Sequence, residues 1–270
     1  MIGNKSSVYN AQSVYKQGGG GDGSFEVDLG GGVTQTLVLP PYLVPVEYID
    51  TSNISEDHYF GLMMAAQIPG QSAANDYVIK CVFSPNESLI QSNERRTIFV
   101  YAAPYMYNDT YKEISVIVTK DGPKNTIIPV FGTFSPWLEN FDFSKKFEVV
   151  IDAPSNVVRI YNDGTLNRTQ TMNATPPSYN LGQIMMLNYD NADKRVFKGK
   201  YFYTYIKDIS NKIISLLIPA RAKDTNDTKP YIVDAVSGAV AINTGLNLNV
   251  TGVEFGPDID LSEEIPNWIA

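Results

Sequence analysis

Phe147-Glu148-Val149-Val150-Ile151, then Val157-Val158-Arg159-Ile160-Tyr161 closed by Asn162-Asp163-Gly164, is the stretch that decides the fold class. In the first segment Phe147, Val149 and Ile151 fall on one face and Glu148 and Val150 on the other, the period of a half-buried strand. The second segment is β-branched and aromatic, which suits a pleated surface. Its Asp-Gly ending supplies the positive-φ positions of a tight hairpin.

The same texture extends in both directions. Short β-prone runs at 77–83, 97–101, 114–119, 184–187, 200–206 and 213–218 alternate with Gly, Pro, Asn and Asp clusters. Asp121-Gly122 separates the run at 114–119 from another at 126–130. Helical periodicity is nearly absent; the one helical turn expected lies around Pro136-Trp137-Leu138-Glu139-Asn140. Many short strands with turns at this spacing predict an all-β antiparallel sandwich or barrel. Glycine before Lys200 lets a strand start against a neighbouring backbone, and Tyr201, Tyr203 and Tyr205 are expected on a common face. Asp234 and Ser237 ahead of Gly238 are expected to cap a turn through their side-chain oxygens.

Composition narrows the function classes. Of 270 residues, 43% are hydrophobic and 19% charged, a globular balance. A net charge of −8 without a Lys/Arg cluster argues against a nucleic-acid partner, because phosphates need a basic surface. Cys81 is the only cysteine and His58 the only histidine. An intrachain disulfide, a cysteine-rich zinc site and chemistry needing several imidazoles are therefore excluded. Cys81 reads as a small buried apolar residue and His58 as a surface-loop residue. No apolar run approaches the length needed to cross a bilayer. The polar N-terminus has no apolar signal core, so the expectation is a chain not exported by a signal peptide of its own.

Three regions are expected: a docking arm and Gly-rich linker over 1–33, a lectin-like β-sandwich over 34–253, and an acidic C-terminal tail over 254–270. In the arm, Ser7-Val8-Tyr9 recurs as Ser13-Val14-Tyr15 ahead of the glycine run at 18–21. Val8, Tyr9, Val14 and Tyr15 are candidate docking residues, since short β-prone units can add to the edge of a partner's sheet. The alternative for so glycine-rich a terminus is a disordered tail. The acidic tail either lies on a neighbour or hangs loose.

Four ordered stretches resemble one family. Val46-Glu47-Tyr48-Ile49-Asp50-Thr51-Ser52 is similar to the opening strand of a concanavalin A-like, lectin-like (LamG-like) jelly-roll domain common in phage structural proteins and proteins of gut bacteria. Val157 to Leu166 resembles its midpoint hairpin, and Phe197 to Ile206 its strand of alternating aromatics. Leu217-Ile218-Pro219-Ala220-Arg221 with Tyr231-Ile232-Val233-Asp234-Ala235-Val236-Ser237-Gly238 resembles its closing phrase, and Asn243-Thr244-Gly245 its last turn. The resemblance implies an antiparallel jelly-roll sandwich in a phage or gut-bacterial setting. The polar segment at 223–229 is longer than the family's usual link, which marks that loop as specialised.

Candidate chemistry is sparse. Retaining glycosidases of this architecture need two carboxyls about 5–5.5 Å apart, and the compact acidic run that supplies them is missing; Glu47 and Asp50 would face opposite sides of a strand. The glycine run at 18–21 lacks the Gly-Lys-Ser/Thr ending of a phosphate loop. No cofactor is expected, calcium being the one ion with a candidate cluster, Asp190-Asn191-Ala192-Asp193. Tyr105, Tyr107, Asn108 and Asp109 combine an aromatic platform with hydrogen-bonding groups and are candidate glycan-binding residues; the bland alternative is that these tyrosines cover the core. Three readings stay open. The leading one is a non-enzymatic head fibre or capsid decoration protein on the virion surface, homo-oligomeric, bound to the capsid by its arm. The second is a carbohydrate-binding module of a tail fibre or bacterial surface protein that meets cell-surface glycan, and the third a glycoside hydrolase.

Overall fold

The computed structural model describes residues 23–30, 32–54, 60–68, 75–102, 113–177, 181–186, 196–243 and 252–269, of which 60–68, 102, 181–186, 242–243 and 269 are described by backbone alone. In chain order the strands are β1 (Ser24–Asp28), β2 (Thr34–Val38), β3 (Leu43–Pro45), β4 (Ile49–Asp50), β5 (Phe60–Ile68), β6 (Tyr77–Pro85), β7 (Arg96–Ala102), β8 (Glu113–Asp121), β9 (Lys124–Phe131) and β10 (Leu138–Glu139). They continue as β11 (Phe147–Asp152), β12 (Val157–Asn162), β13 (Thr165–Thr171), β14 (Leu181–Met186), β15 (Gly199–Asp208), β16 (Ile213–Ala222), β17 (Pro230–Asp234), β18 (Ala239–Asn243) and β19 (Glu254–Phe255). Helix α1 (Leu261–Ile269) follows.

Two antiparallel sheets form a jelly-roll sandwich. Sheet 1 runs β13-β12-β11-β6-β15-β16-β17. Sheet 2 runs β10-β9-β8-β7-β14-β5-β18. The sheets join where β18 pairs with β17 through Ala239 and Ala241 and with β5 through Ile242 and Asn243. Where β15 and β16 diverge, β4 pairs with the start of β15 and β3 with the end of β16.

The alternation read at 147–151 is realised: Phe147, Val149 and Ile151 point into the core between the sheets, beside Ile79, Cys81 and Phe83 of β6. Facing them from sheet 2 are Tyr101, Ile114, Val116, Val118 and Ile127. Phe147 is the hub of an aromatic cluster, with ring centroids of Phe83, Phe141 and Phe143 at 5.8, 5.7 and 5.9 Å. Each such ring contributes roughly 1.5–3 kcal/mol by burial alone. Asn162 and Thr165 pair directly across the expected hairpin, and Asp163 (φ 47°) and Gly164 (φ 76°) form its two-residue turn. Cys81 is fully buried, with the Thr204 hydroxyl donating to its Sγ at 3.3 Å.

A second apolar cluster covers part of sheet 1's outer face. There Val82, Phe202, Tyr203, Tyr205, Leu216, Ile218 and Val233 pack beneath Val27 and Leu37 of the β1–β2 hairpin and Leu261 and Ile265 of α1. The hairpin is fixed by five register pairs, Ser24↔Val38 to Asp28↔Thr34, and by the Val38 N–H donating to the Ala235 carbonyl at 2.7 Å. The boundary expected at residue 33 thus falls within a hairpin, whose first strand precedes it.

Three local expectations are corrected. Around 136–140 the chain is extended: Leu138 pairs with Ile127 and is buried, and Asn140 takes φ 70°, which stops helix propagation. The helix instead occupies the acidic tail, where Leu261, Ile265 and Trp268 recur at helical spacing and meet sheet 1. Its start is set by Asp260, whose carboxylate accepts from the Ser262 N–H at 2.9 Å and whose carbonyl accepts from the Glu264 N–H at 3.0 Å. Finally, the three tyrosines do not share a face. A bulge between Tyr201 and Tyr203 sends Tyr201 into the core and Tyr203 and Tyr205 to the outer face.

Candidate functional site

The pairing of β4, β15 and β6 gathers polar side chains that lie far apart in sequence. Lys200 stands between Asp50 on one side and Ser84 on the other in direct register. The adjoining turns add Ser52, Asn86, Glu87, Ser88 and Ser144, and together they line a cleft of about 300 Å³ at the rim of sheet 1.

Backbone approach makes the cleft. Gly199 has φ 144°, and a Cβ there would meet the Ser84 carbonyl oxygen at 2.2 Å and the Asn86 nitrogen at 2.9 Å. Glycine is required for both reasons, the close approach and the backbone angle. Thr51, buried, ties the adjoining turn down: its hydroxyl donates to the Phe197 carbonyl at 2.7 Å and its N–H to the Gly199 carbonyl at 2.9 Å. The Asn86 N–H donates to the Lys198 carbonyl at 2.9 Å, and the Lys198 ammonium donates to the Ile54 carbonyl.

On this frame the side chains orient one another. The Asn86 amide donates to the Ser52 hydroxyl at 3.1 Å and accepts from the Ser88 hydroxyl at 2.7 Å. The Asp50 carboxylate accepts from the Ser52 N–H at 2.9 Å. Asn125 donates to the Glu87 carboxylate at 3.0 Å. Lys200 Nζ lies 4.2 Å from the centre of the Tyr48 ring, a cation–π contact that fixes the ammonium over an aromatic wall. At the far wall the hydroxyl and N–H of Ser144 both donate to Asp142, and these bonds hold the Asp142 carboxyl below the usual range. The cleft therefore presents hydroxyls, an amide, carboxylates and one ammonium, a set that can both donate to and accept from a polyhydroxylated ligand. Among the described residues no three His, Cys, Asp or Glu side chains converge as a metal site would require.

Val8, Tyr9, Val14 and Tyr15, the aromatic loop with Tyr105, Tyr107, Asn108 and Asp109, His58 and the cluster at 190–193 all lie outside the described residues. Of the cleft's residues, sequence reading reached Gly199, as a strand start against neighbouring backbone, Asp50 and Ser52 as part of an opening strand, and Asp50 also as a carboxyl facing away from Glu47. Asn86 carries no signal in the sequence, since nothing local distinguishes it from any other turn residue.

No protein-family model and no curated protein matches this chain. Solved structures overlap with this chain at low identity and with TM-scores below 0.5. A heptameric SAP-like pentraxin from Limulus polyphemus is 10% identical over 82% of this chain and 98% of its own, with a TM-score of 0.46. Mouse laminin α1 domains LG4-5 are 6% identical over 80% of this chain and 47% of theirs, with a TM-score of 0.39. The CBM40 module of Ruminococcus gnavus IT-sialidase, bound to α2,3-sialyllactose, is 11% identical over 56% of this chain and 91% of its own, with a TM-score of 0.35.

Proposed function

We propose that this chain is a non-enzymatic virion structural protein, of head-fibre or capsid-decoration type, whose sandwich recognises glycan at the rim cleft. The observation that carries glycan recognition is the cleft itself, with Ser52, Asn86 and Ser88 in one hydrogen-bonded chain beside Asp50 and Lys200. Each such bond to a sugar hydroxyl adds only about 0.5–1.5 kcal/mol, so single sites bind weakly and display in many copies supplies avidity. The virion setting rests on the four family-like stretches between Val46 and Gly245, and on the repeated Ser-Val-Tyr units ahead of the hairpin, which suit docking to a capsid protein. A homo-oligomer on the virion surface fits that reading.

The test is co-sedimentation of the full chain and of a version lacking residues 1–22 with capsids from the source, alongside retention on a host-glycan array. The expected result is capsid binding by the full chain alone and array retention by both, reduced by Asn86→Ala. Retention without any capsid binding would make the chain a carbohydrate-binding module of another assembly, the second reading that the cleft favours. If the array retains neither version, the cleft is not a glycan site.

A further inference from the structure

Sheet 1 ends in β13, which pairs with β12 on one side and with no described strand on the other. An edge strand presents a row of unpaired N–H and C=O groups. Along this edge Thr165, Leu166, Asn167, Thr169 and Thr171 are exposed, and the strand holds no proline, lysine or acid. The other side of sheet 1 is closed, since β17 pairs with β18, which pairs in turn with β5. In sheet 2 the edge strand β10 is only two residues long, and Asn140 at φ 70° turns the chain away from it.

Two devices on β13 select what can add to it. Arg168 is turned to the core side of the sheet, where it donates to the Glu139 carbonyl at 3.2 Å and lies 5.1 Å from the Phe141 ring centre. A register shift opposite Ile160 and Tyr161 leaves Asn167 out of register and confines the longest regular run to residues 168–171. Inward-pointing charges and bulges keep two folded sheet edges from fusing, and a two-fold pairing that sets Arg168 against its counterpart adds like-charge repulsion. A short peptide meets neither obstacle, because it brings no second sheet and needs only the regular run. The edge therefore fits a short extended segment better than the edge of another sandwich.

The chain carries such a segment in Ser13-Val14-Tyr15, the inner of its two Ser-Val-Tyr units. Where that segment can reach is set by Gly23, which is held beside β17: its carbonyl accepts from the Leu39 N–H at 3.0 Å, and the Val38 N–H donates to the Ala235 carbonyl at 2.7 Å. Tyr15 is eight residues from Gly23, at most about 29 Å of fully extended chain. A strand added to β13 of the same molecule lies seven inter-strand spacings from β17, roughly 34 Å. The inner unit falls short of its own β13. The outer unit, Val8-Tyr9, has fourteen residues of chain to Gly23, about 50 Å at full extension, and is not so restricted.

We infer that residues 13–15 of one copy add as a strand to β13 of the next, building a head-to-tail assembly of this chain. The inference goes beyond the virion reading, because it assigns the inner unit to a second copy and leaves the outer one for the capsid. Val14 and Tyr15 fall on opposite faces of the added strand, so one meets Thr169 and Thr171 and the other the side of Arg168. The contact joins two different surfaces, so it either closes into a ring or runs on as a filament.

Sedimentation velocity of the full chain, over a dilution series without capsids, tests this. The parent is expected to sediment as an assembly that comes apart on dilution. Val14→Asp should sediment as single chains at every concentration, and Val8→Asp like the parent. Thr169→Lys combined with Thr171→Lys places edge-guarding lysines at two exposed positions; it should also give single chains, with the melting temperature of the parent. A parent that is monomeric throughout, equal losses for Val8→Asp and Val14→Asp, or an assembly untouched by the two lysines would each overturn the inference. Loss with the two lysines but not with Val14→Asp would assign the edge to another sandwich and overturn the arm as its occupant. Capsids and glycans take no part in this experiment, so a monomeric parent leaves the capsid and rim-cleft readings standing, and failure of those readings leaves this one.

Discussion

Asp234 is a carboxylate buried where β16, β17 and the turn at 234–238 meet. It accepts from the Leu216 N–H at 3.0 Å, the Val236 N–H at 3.2 Å, the Ser215 hydroxyl at 3.3 Å and the Ser237 hydroxyl at 2.8 Å. Burial raises its pKa and these four bonds lower it; burial wins, so the carboxyl sits above its ordinary value. A group raised in the fold contributes most below the unfolded-state pKa and loses that contribution as pH rises through the folded value. The parent should therefore gain stability relative to Asp234→Asn between pH 7 and pH 4, measured by urea denaturation at both. A gap that narrows toward acid would refute the assignment. Asp234→Ala leaves two N–H groups and two hydroxyls without their acceptor and should cost about 3 kcal/mol. This residue was legible in the sequence, because an Asp three positions before a Ser-Gly pair has few local uses besides capping. Tyr201 was not, because the bulge that turns it inward is set by its pairing with β6, which no local pattern encodes.

Among the elements, helix α1 was concealed in the sequence. Its residues read as an acidic tail with a proline, yet Glu263 and Glu264 fall in the first turn, where they favour the helix dipole. Pro266 removes one backbone donor and would ordinarily break so short a helix. What holds it is packing: Leu261 and Ile265 are almost wholly buried on sheet 1 and Trp268 stacks on Tyr203. Deleting 261–270 should cost about 4 kcal/mol from these side chains alone, and should raise binding of a hydrophobic dye as Tyr203, Tyr205 and Leu216 become exposed. An unchanged melting temperature would show that the helix does not close the sheet. The strands at 147–151 and 157–161 were legible for the opposite reason: their alternation matches the sheet's own period, so the local pattern and the packing agree.

At the scale of the molecule, both sheets contribute to one core, and Cys81 sits inside it, fully buried. Burial pushes its thiol up to about 12, against the Thr204 hydrogen bond that lowers it, so thiolate is scarce at neutral pH. A thiol reagent should therefore modify Cys81 only when the sandwich opens, and labelling against urea should follow the far-UV circular dichroism curve. Rapid labelling in buffer alone would show that the sheets part locally. The rim cleft belongs to this scale too. Asp50, Asn86 and Lys200 meet only after β4, β6 and β15 have paired, which is why single segments of sequence could not announce the site.

The β1–β2 hairpin has a mechanical consequence. Tension applied at Gly23 against the sandwich pulls the Ser24 and Val38 ends of the hairpin apart, since β1 hydrogen-bonds in register with β2 alone. The five register pairs are then loaded in series, from Ser24↔Val38 toward Asp28↔Thr34, and yield one at a time at low force. β2 and β3 become taut only afterwards. Opening the hairpin strips Val27 from the outer face of sheet 1 first, so the chain lengthens by several residues before load reaches the core between the sheets.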